Sequence, residues 1–514
     1  MPWLSPNSQP LTTAQATHLL RRATLGLTPA QVRQFTGLKP DAALKILLAD
    51  KPTPPPPVDV STMKTFVDLP FNEAMQGQHS SFLKNWWLGL MINEEASVRE
   101  KLTVFWQNHF VSTYAIVSDA RYLHRQLALI QQHSSGNFRQ FVIDMTKDPA
   151  MLRYLNGNAN VANKPNENYG RELQELFTIG LGGNYTEDDV KAATRVLTGW
   201  ADTGFRNITS PDITVAFRAN QHDTTDKKFS AAYGNYTVKG KTGATAGDEE
   251  LVDMVDMILL QPETARFVIR KLYRFYVTTE ITPEAETNFI EPLAKVYRNN
   301  KYELKPVLTA LFSSDHFYDE TTYGAIIRSP LELMIGSMRY FGIKAPESGT
   351  TPFNQLGDYI RGRAREQQMD VFEQSTVFGY RPYYDTGLDR IWISANTLAL
   401  RSLYTDQFVR GTVKYNNITY GLDTVEVVKA LATPSDPVKM IDDLTAQLFA
   451  VPLQKSQRDF LIDQVLVPGL PRYEWDIEWN EFIKNQNTAR RMSIKIKLDN
   501  LFIFMFRMAE FQMS

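Results

Sequence analysis

The chain has 514 residues, of which 43% are hydrophobic and 22% are charged, and its formal net charge is −2. This is the composition of a folded protein, and it provides no basic field that would attract nucleic acid. The absence of cysteine excludes disulfides, thiolate zinc sites, iron–sulfur clusters and cysteine nucleophiles. Because the sequence as written shows neither a signal peptide nor a long apolar run, we expect a soluble protein without a transmembrane segment.

Helical periodicity dominates the first 200 residues. Thr12 is expected to cap a helix over residues 12–23, and Pro29 is expected at the first position of a helix over 28–35. The stretch KPTPPPPV, residues 51–58, predicts an extended connector. Further helices are predicted over residues 80–95, 98–110, 122–131, 137–146 and 187–197.

The composition changes at residues 201–243, where Thr, Asn and Gly alternate with apolar residues. This pattern predicts a small β-hairpin or an irregular insertion. Residues 347–356 are predicted to form an exposed loop, residues 376–389 an irregular segment, and the tail from about residue 430 more helices. Between these regions, helices are predicted over 249–260, 263–276, 283–299, 304–313 and 327–341.

The expected fold class is therefore mainly α, a multi-helix globular body with a small β-hairpin or irregular insertion. We divide the chain into N-terminal helices with the Pro-rich connector, a helical core, the insertion, a second helical part and a C-terminal helical extension. The corresponding ranges are 1–60, 61–200, 201–245, 246–401 and 402–514.

The most informative sequence is PNENYGRELQELF, residues 165–177. On a helical wheel, Asn168, Arg171, Glu172 and Glu175 fall in one arc beside an apolar arc that begins at Tyr169. One interpretation is a solvated or structural face, since Glu167 and Arg171 form a favourable i,i+4 pair. The other is a site that binds a cation or orients a substrate.

Two further segments contain candidate chemistry. His109, preceded by Asn108, falls on the apolar side of its helix. A histidine in this position is more often a core residue with a satisfied hydrogen bond, and the alternative is a base or a metal ligand. His222 and Asp223 lie together in the insertion and provide two ligands or a base with its orienting group.

A basic stripe is formed by Arg266, Arg270 and Arg274, at i, i+4 and i+8 of a predicted helix. It can bind phosphate or sulfate, or it can pair with Glu172 and Glu175, and we favour the pairing. The sequence contains no phosphate-binding loop, dinucleotide fingerprint, HExxH, GxSxG or EF-hand loop, and no pair of ExxH sequences.

Taken together, several stretches resemble an uncharacterised bacterial family catalogued as domain of unknown function 1800. They span about residue 12 to about residue 401, and the long block at 148–200 is the most specific. The matching sequences are HLLRRATLGLTPAQV (18–32), EKLTVFWQNHFV (100–111), DPAMLRYLNGNAN (148–160), PNENYGRELQELFTIG (165–180), YTEDDVKAATRVLTGW (185–200), HD with KKF (222–229), RFVIRKLYRFYV (266–277) and RSPLEL (328–333).

The resemblance implies a genomic association with proteins similar to sulfatases and phosphatases, and hence a shared pathway at the cell envelope, but it implies no activity. The chain departs from the family pattern at residues 372–401, where the family shows a Pro-rich GWPGG-like loop. Any site shaped by that loop is expected to differ here.

Our leading hypothesis is an enzyme-like polar pocket, with hydrolysis in an envelope or polymer pathway as its reaction. Glu172 and Glu175 are expected to act as ligand or base, with Arg171 as an electrostatic clamp. A divalent cation held by these two carboxylates and a histidine is compatible with the residue types. The catalytic candidates are His109, Glu172, Glu175 and Arg171. The substrate-binding candidates are Asn108, Asn166, Glu167, Asn168, His222 and Asp223.

The rival hypothesis is a non-catalytic helical scaffold or a partner of a sulfatase- or phosphatase-like protein. In that case the same residues form a buried ion-pair network that fixes the packing of the helices. Convergent groups facing an open cleft favour the enzyme, and mutually satisfied side chains without a cavity favour the scaffold.

Overall fold

The predicted mainly α fold is confirmed by a computed structural model that describes residues 3–384, 387–415 and 418–514. Over these residues the chain forms 25 α-helical segments and four short antiparallel strand pairs. None of the helices in this part of the chain has the length and apolar character needed to cross a membrane.

The first half of the chain is almost entirely helical. Its helices are α1 Thr13–Ala23, α2 Pro29–Phe35, α3 Pro40–Leu47, α4 Gln76–Asn93, α5 Arg99–His109, α6 Tyr114–Val117, α7 Ala120–His133, α8 Phe138–Thr146, α9 Pro149–Tyr154, α10 Asn168–Glu172, α11 Glu187–Val196 and α12 Ala246–Leu259. A π-helical segment, Leu173–Thr178, continues α10.

The second half of the chain is also mainly helical. Its helices are α13 Pro262–Tyr276, α14 Pro283–Ala285, α15 Glu291–Asn299, α16 Leu304–Ser313, α17 Pro330–Tyr340, α18 Thr351–Glu366, α19 Ala395–Arg410, α20 Thr424–Lys429, α21 Pro437–Leu448, α22 Lys455–Phe460, α23 Tyr473–Lys484, α24 Thr488–Arg507 and α25 Ala509–Gln512. Two further π-helical segments are Glu286–Ile290, between α14 and α15, and Leu461–Leu466, after α22.

The strands are short and pair only with their neighbours in sequence. They are β1 Val58–Asp59 with β2 Lys64–Thr65, β3 Trp200–Thr203 with β4 Thr214–Phe217, β5 Lys227–Lys228 with β6 Thr237–Val238, and β7 Val413–Tyr415 with β8 Ile418–Tyr420. Two of the four pairs lie in the predicted insertion at 201–243, which confirms its β character.

Side-chain caps define several predicted helix starts. Thr12, Thr28 and Ser329 each accept a hydrogen bond from the backbone N–H three residues later, in a capping box. Pro29 and Pro330 follow two of these caps at the first helical position, where a missing N–H is harmless. The starts of α1, α2 and α17 are therefore fixed by local sequence.

The predicted exposed loop at 347–356 is wrong in its second half, because α18 begins at Thr351. Thr350 caps this helix, and its side chain accepts a hydrogen bond from the backbone of Phe353. Phe353, Leu356 and Ile360 are buried at i, i+3 and i+7. The Gly, Thr and Pro residues that suggested a loop are the capping signal of the helix.

The predicted irregular segment at 376–389 contains short 3₁₀ turns at Arg381–Tyr383 and Leu388–Ile393. Residues 385 and 386 of this prediction lie outside the described part of the chain.

One core connects the two halves. Buried apolar side chains form a continuous cluster from Leu11 to Phe511. Within it α5 packs on α7, α10 on α11, α13 on α15 and α19 on α24. The candidate polar residues are therefore held by helices that share a single interior.

A close backbone approach joins Gly26, after α1, to Gly336 in α17. A Cβ atom on Gly26 would lie 2.4 Å from the Gly336 Cα, and Gly26 has φ +142°. Both facts require glycine at this position. The contact lets Arg339 of α17 donate a hydrogen bond to the Gly26 carbonyl at 2.8 Å.

We expect Gly26→Ala to lower the free energy of unfolding by at least about 2 kcal/mol, since the added methyl group forces α1 and α17 apart and strains φ. Gly77→Ala is the control, because Gly77 lies in a helix with nothing within 4 Å of its Cβ position. Urea unfolding measures both. Equal midpoints for the two variants would show that the contact is not a constraint.

Candidate functional site

The helix at 168–178 presents two faces, as its sequence predicts. Tyr169, Leu173 and Phe177 are buried, and the Tyr169 hydroxyl donates to the Thr146 hydroxyl at 2.9 Å. The helix lies directly against α11, since a Cβ atom on Gly170 would meet the Thr194 hydroxyl at 2.7 Å. From Leu173 onward the hydrogen bonding widens to a π-helix, a rare form that occurs frequently at functional sites.

Arg171 is the centre of the charged face. Its guanidinium lies 3.2 Å from Glu167, 3.3 Å from Glu175 and 2.6 Å from Glu187. The Tyr185 hydroxyl also donates to the Glu175 carboxylate. Glu175 is thus held between a cation and a phenol, with 19% of its side chain exposed.

Glu172 has a different environment. Among the described residues, no hydrogen bond or ion pair reaches its half-buried carboxyl group. Burial, and next the charge of Glu175, raise the pKa of Glu172 from 4.5 to about 7, against the opposing charge of Arg171. The neighbouring Tyr154 has its pKa raised to about 12 by burial and by the charge of Glu172.

The beginning of this helix is solvent-facing. The Asn166 side chain accepts a hydrogen bond from the backbone N–H of Asn168 at 3.1 Å, and Asn160 accepts one from the Asn166 N–H at 3.0 Å. Asn168 and Glu167 are exposed and Asn166 is half-buried. The start of this helix, beside Arg171, is therefore open to solvent.

His109 lies in the core instead. It is 2% exposed, and six aromatic rings surround it, those of Phe105, Trp106, Phe110, Phe138, Phe177 and Phe267. Nε2 donates to the Phe177 carbonyl at 3.0 Å, and Nδ1 accepts from the Lys271 ammonium at 2.8 Å. Burial and then Lys271 hold the pKa of His109 well below its usual value. The imidazole is neutral and both its nitrogens are occupied.

The expected contact between His109 and Asn168 or Glu172 is therefore absent. Helix α5 and the π-helical segment are nevertheless in contact, because the His109 imidazole bonds the backbone carbonyl of Phe177 near the end of that segment. Asn108 is 4% exposed, and its side chain accepts a hydrogen bond from the Tyr380 backbone N–H. Asn108 thus holds the segment after α18 and does not join the acidic face.

His222 forms part of a buried ionic group. Its Nδ1 donates to the Thr198 carbonyl at 2.9 Å, and its Nε2 lies 3.1 Å from Glu250 Oε1. Lys227 forms an ion pair with the other oxygen of Glu250, and the side chains of both are 0% exposed. His222 of the HD sequence and Lys227 of the KKF sequence therefore both contact the carboxylate of Glu250 in α12.

Asp223 faces away from this group. Its carboxylate accepts a hydrogen bond from Arg195 Nε at 2.7 Å and one from the Thr225 backbone N–H at 2.9 Å. These bonds, opposed by partial burial, keep the pKa of Asp223 far below its usual value. Asp223 fixes the insertion to α11 and is permanently charged.

The predicted site residues therefore occupy three places. Arg171, Glu172 and Glu175 lie together, with Asn166, Glu167 and Asn168 at the same end of one helix. Asn108 and His109 lie in the core, and His222 and Asp223 hold the insertion. The single pocket expected from all ten is divided by the helix packing.

The expected pairing of the basic stripe with Glu172 and Glu175 is wrong. Arg270 bonds Glu263 and Glu286 instead, and Arg266 bonds Glu263 and Glu291. Helix α13 supplies Glu263 in its own first turn, and the following helical segments supply Glu286 and Glu291. Nearby acids therefore neutralise Arg266 and Arg270, and Arg274 donates to the Tyr384 carbonyl at 3.2 Å.

The described residues contain no group of three His, Asp or Glu side chains arranged to hold a metal ion. A cation held by Glu172, Glu175 and a histidine is not supported, because His109 and His222 are engaged elsewhere. The acidic face therefore enters the proposal below as an acid–base pair.

A family model described as a protein of unknown function, DUF1800, matches residues 18–513. The chain belongs to the DUF1800 family. The match covers nearly the whole chain and extends beyond residue 401, so the C-terminal helices are part of the family fold. No curated protein and no solved structure shows a significant match.

Sequence reasoning missed several polar residues that the fold brings into contact. Glu250 and Lys227 complete the His222 group, and Lys271 bonds His109. Burial, with the charge of Arg274, lowers the pKa of Lys271 to about 7. The burial of Lys271 could have been predicted from the sequence, since this lysine lies on the apolar side of α13. The burial of Glu250 could not, because the adjacent Glu249 is also an acid on the same helix and is exposed.

We expect Glu250→Gln to destabilise the fold by roughly 3–5 kcal/mol, because it leaves the Lys227 charge buried without a partner. Glu249→Gln is the matched control, since the Glu249 side chain is 49% exposed and bonds a surface lysine. Guanidinium unfolding of both variants measures the difference. A loss below about 1 kcal/mol for Glu250→Gln would contradict the buried ion pair.

The raised pKa of Glu172 makes stability depend on pH. The folded pKa of about 7 lies above the ordinary 4.5, so the contribution of Glu172 is complete below about pH 4.5 and is lost as pH rises to about 7. Between pH 5 and pH 8 the parent should lose roughly 1–2 kcal/mol more stability than Glu172→Gln, after a discount for solvent screening. Glu280→Gln, on an exposed loop, should behave as the parent. Parallel pH profiles for all three proteins would show that the Glu172 pKa is ordinary.

Proposed function

We propose that the protein is a hydrolytic enzyme whose acid–base pair is Glu172 and Glu175, acting in an envelope or polymer pathway. The observation that carries this proposal is that two carboxyl groups three residues apart have different environments. Glu172 has no ionic partner and a raised pKa, whereas Glu175 bonds Arg171 and Tyr185. Acid–base pairs are recognised by such a difference in environment.

In this mechanism Glu172, whose raised pKa of about 7 keeps part of it protonated at neutral pH, donates its proton to the leaving group. Glu175 accepts a proton from the attacking water, and Arg171 holds it in position. Asn166, Glu167 and Asn168 contact the substrate at the exposed start of the helix. His109, Asn108, His222 and Asp223 act through the packing, since protein groups contact each of their side chains.

A cavity of about 220 Å³ is connected to the pair through Tyr185, which lines the cavity and bonds Glu175. Tyr233, Glu263 and Arg266 also line it, whereas the two carboxyl groups do not. Phenols and charged groups on its wall suit a polar substrate.

The test is hydrolysis of a panel of chromogenic phosphate, sulfate and carboxylic esters and glycosides by the purified chain. Glu172→Gln and Glu175→Gln should each lower the rate by roughly 10²–10⁴. The rate should fall as pH rises through about 7, because Glu172 then loses its proton. Glu249→Gln serves as the control. Full activity in Glu172→Gln, or an unchanged pH profile, would remove Glu172 from the mechanism.

A second candidate function is a non-catalytic partner of a sulfatase- or phosphatase-like protein. It is favoured by a surface of exposed apolar side chains on the C-terminal helices, namely Phe460, Tyr473, Ile477 and Phe504, each at least 45% exposed. Exposed patches of this kind mark protein contacts. A co-expressed partner should bind the parent and Leu181→Ser equally and bind Phe504→Ser at least tenfold more weakly, as measured by calorimetry.

A further inference from the structure

Five basic side chains are buried where α1, α5, α17 and α19 meet. Arg21 and Arg22 end α1, Lys101 lies in α5, Arg328 precedes α17, and Arg401 lies in α19. Each is at most 8% exposed. Across the described residues, the one ion pair made by any of them joins Lys101 to Glu332. Four guanidinium groups are therefore buried without a carboxylate partner.

Backbone carbonyl oxygens hold these guanidinium groups in place. Arg21 donates to the Gln447 carbonyl at 2.8 Å, Arg22 to the Thr322 carbonyl at 2.5 Å and Arg328 to the Leu448 carbonyl at 3.0 Å. Arg401 in turn donates to the carbonyl of Arg328 at 3.0 Å. Carbonyl dipoles fix the geometry but leave the positive charges uncompensated.

Two donor groups in the cluster have no protein partner at all. Arg22 Nε and Arg401 Nη2 are buried without a hydrogen bond. The charges also repel one another. Burial, and to a lesser extent the charge of Arg21, lowers the pKa of Arg22 to about 9. Burial, and to a lesser extent the charges of Arg22 and Arg328, holds the pKa of Lys101 well below its usual value. Such an arrangement is unfavourable until an anion enters it.

A cavity is present within the cluster. It measures about 30 Å³, enough for roughly two water molecules, and Arg21, Arg328 and Glu332 are among the residues that line it. Arg21 makes its one described hydrogen bond through Nη2, so its Nε and Nη1 groups are available to a ligand. The small volume and the presence of Glu332 disfavour large or multiply charged anions.

We infer that the cavity between Arg21 and Arg328 binds a small monovalent anion, either a halide ion or the carboxylate group of a ligand. The site is separate from the Glu172 and Glu175 pair. Its two arginines come from stretches that carry the family resemblance, at 18–32 and 328–333. The anion supplies a negative charge next to Arg21 and Arg328, the two guanidinium groups that line the cavity.

The first experiment measures anion binding by thermal unfolding and calorimetry in a low-salt buffer. Bromide and formate should stabilise the parent in a saturable way. Arg21→Gln should weaken anion binding at least tenfold, and the variant should still fold because Arg21 has few protein bonds to lose. Arg33→Gln is the control, since Arg33 lies on the exposed face of α2, and it should change anion binding less than twofold. Stabilisation that does not saturate, or that is equal in both variants, would overturn the inference.

The second experiment needs no variant. Crystals of the whole chain grown in sodium bromide should show an anomalous peak between the Arg21 and Arg328 guanidinium groups. When formate is added in equal concentration to crystals that still contain bromide, loss of that peak with a planar group in its place would identify the carboxylate as the preferred ligand chemistry, and persistence of the peak would identify the halide. Ordered bromide elsewhere with only water in the cavity, or Ser514 filling it, would overturn the inference.

Discussion

The ion pair between Lys101 and Glu332 joins α5 to the first turn of α17 in the interior of the protein. Helix α5 then extends to His109, and the His109 imidazole donates to the carbonyl of Phe177 at the end of the π-helix. Both contacts are buried, so α5 connects α17 to the helix that carries Glu172 and Glu175 through two polar contacts in the core.

Charge is distributed unevenly in this interior. The Glu250 group is compensated, with one carboxylate between Lys227 and His222. The cluster around Arg21 and Arg328 has an excess of cations, and the half-buried face with Glu172 and Glu175 has closely spaced acids. The compensated group fixes the packing, whereas the two uncompensated regions are where ligands of opposite charge or transferable protons are expected.

The sequence was sufficient for the fold class, for most helix positions and for the β insertion, because periodicity and capping act over a few residues. It also identified the arc of Arg171, Glu172 and Glu175, since these residues are neighbours on one helix. It failed for contacts made across the core. The position of His109 on its own helix showed that it would be buried, but not that Phe177 and Lys271 would occupy its nitrogens, because those partners are 68 and 162 residues away. Arg266 and Arg270 were misassigned although their partners Glu263, Glu286 and Glu291 lie within 25 residues, because helical periodicity does not show which of the nearby acids a long side chain reaches.

The π-helical segment Leu173–Thr178 has a consequence for how this helix tolerates changes in length. A π-turn contains one residue more than an α-turn would need, so the helix behaves as though a residue had been inserted beside Glu172. In a regular α-helix a one-residue deletion rotates everything beyond it by about 100°, which is the turn per residue. In this segment the wide turn already accommodates the extra residue, so deleting one residue would restore regular bonding while the helix beyond it keeps nearly the same face toward the core. The segment is therefore a place where the chain tolerates a change of one residue in length, with the displacement confined to the turn that contains Glu175.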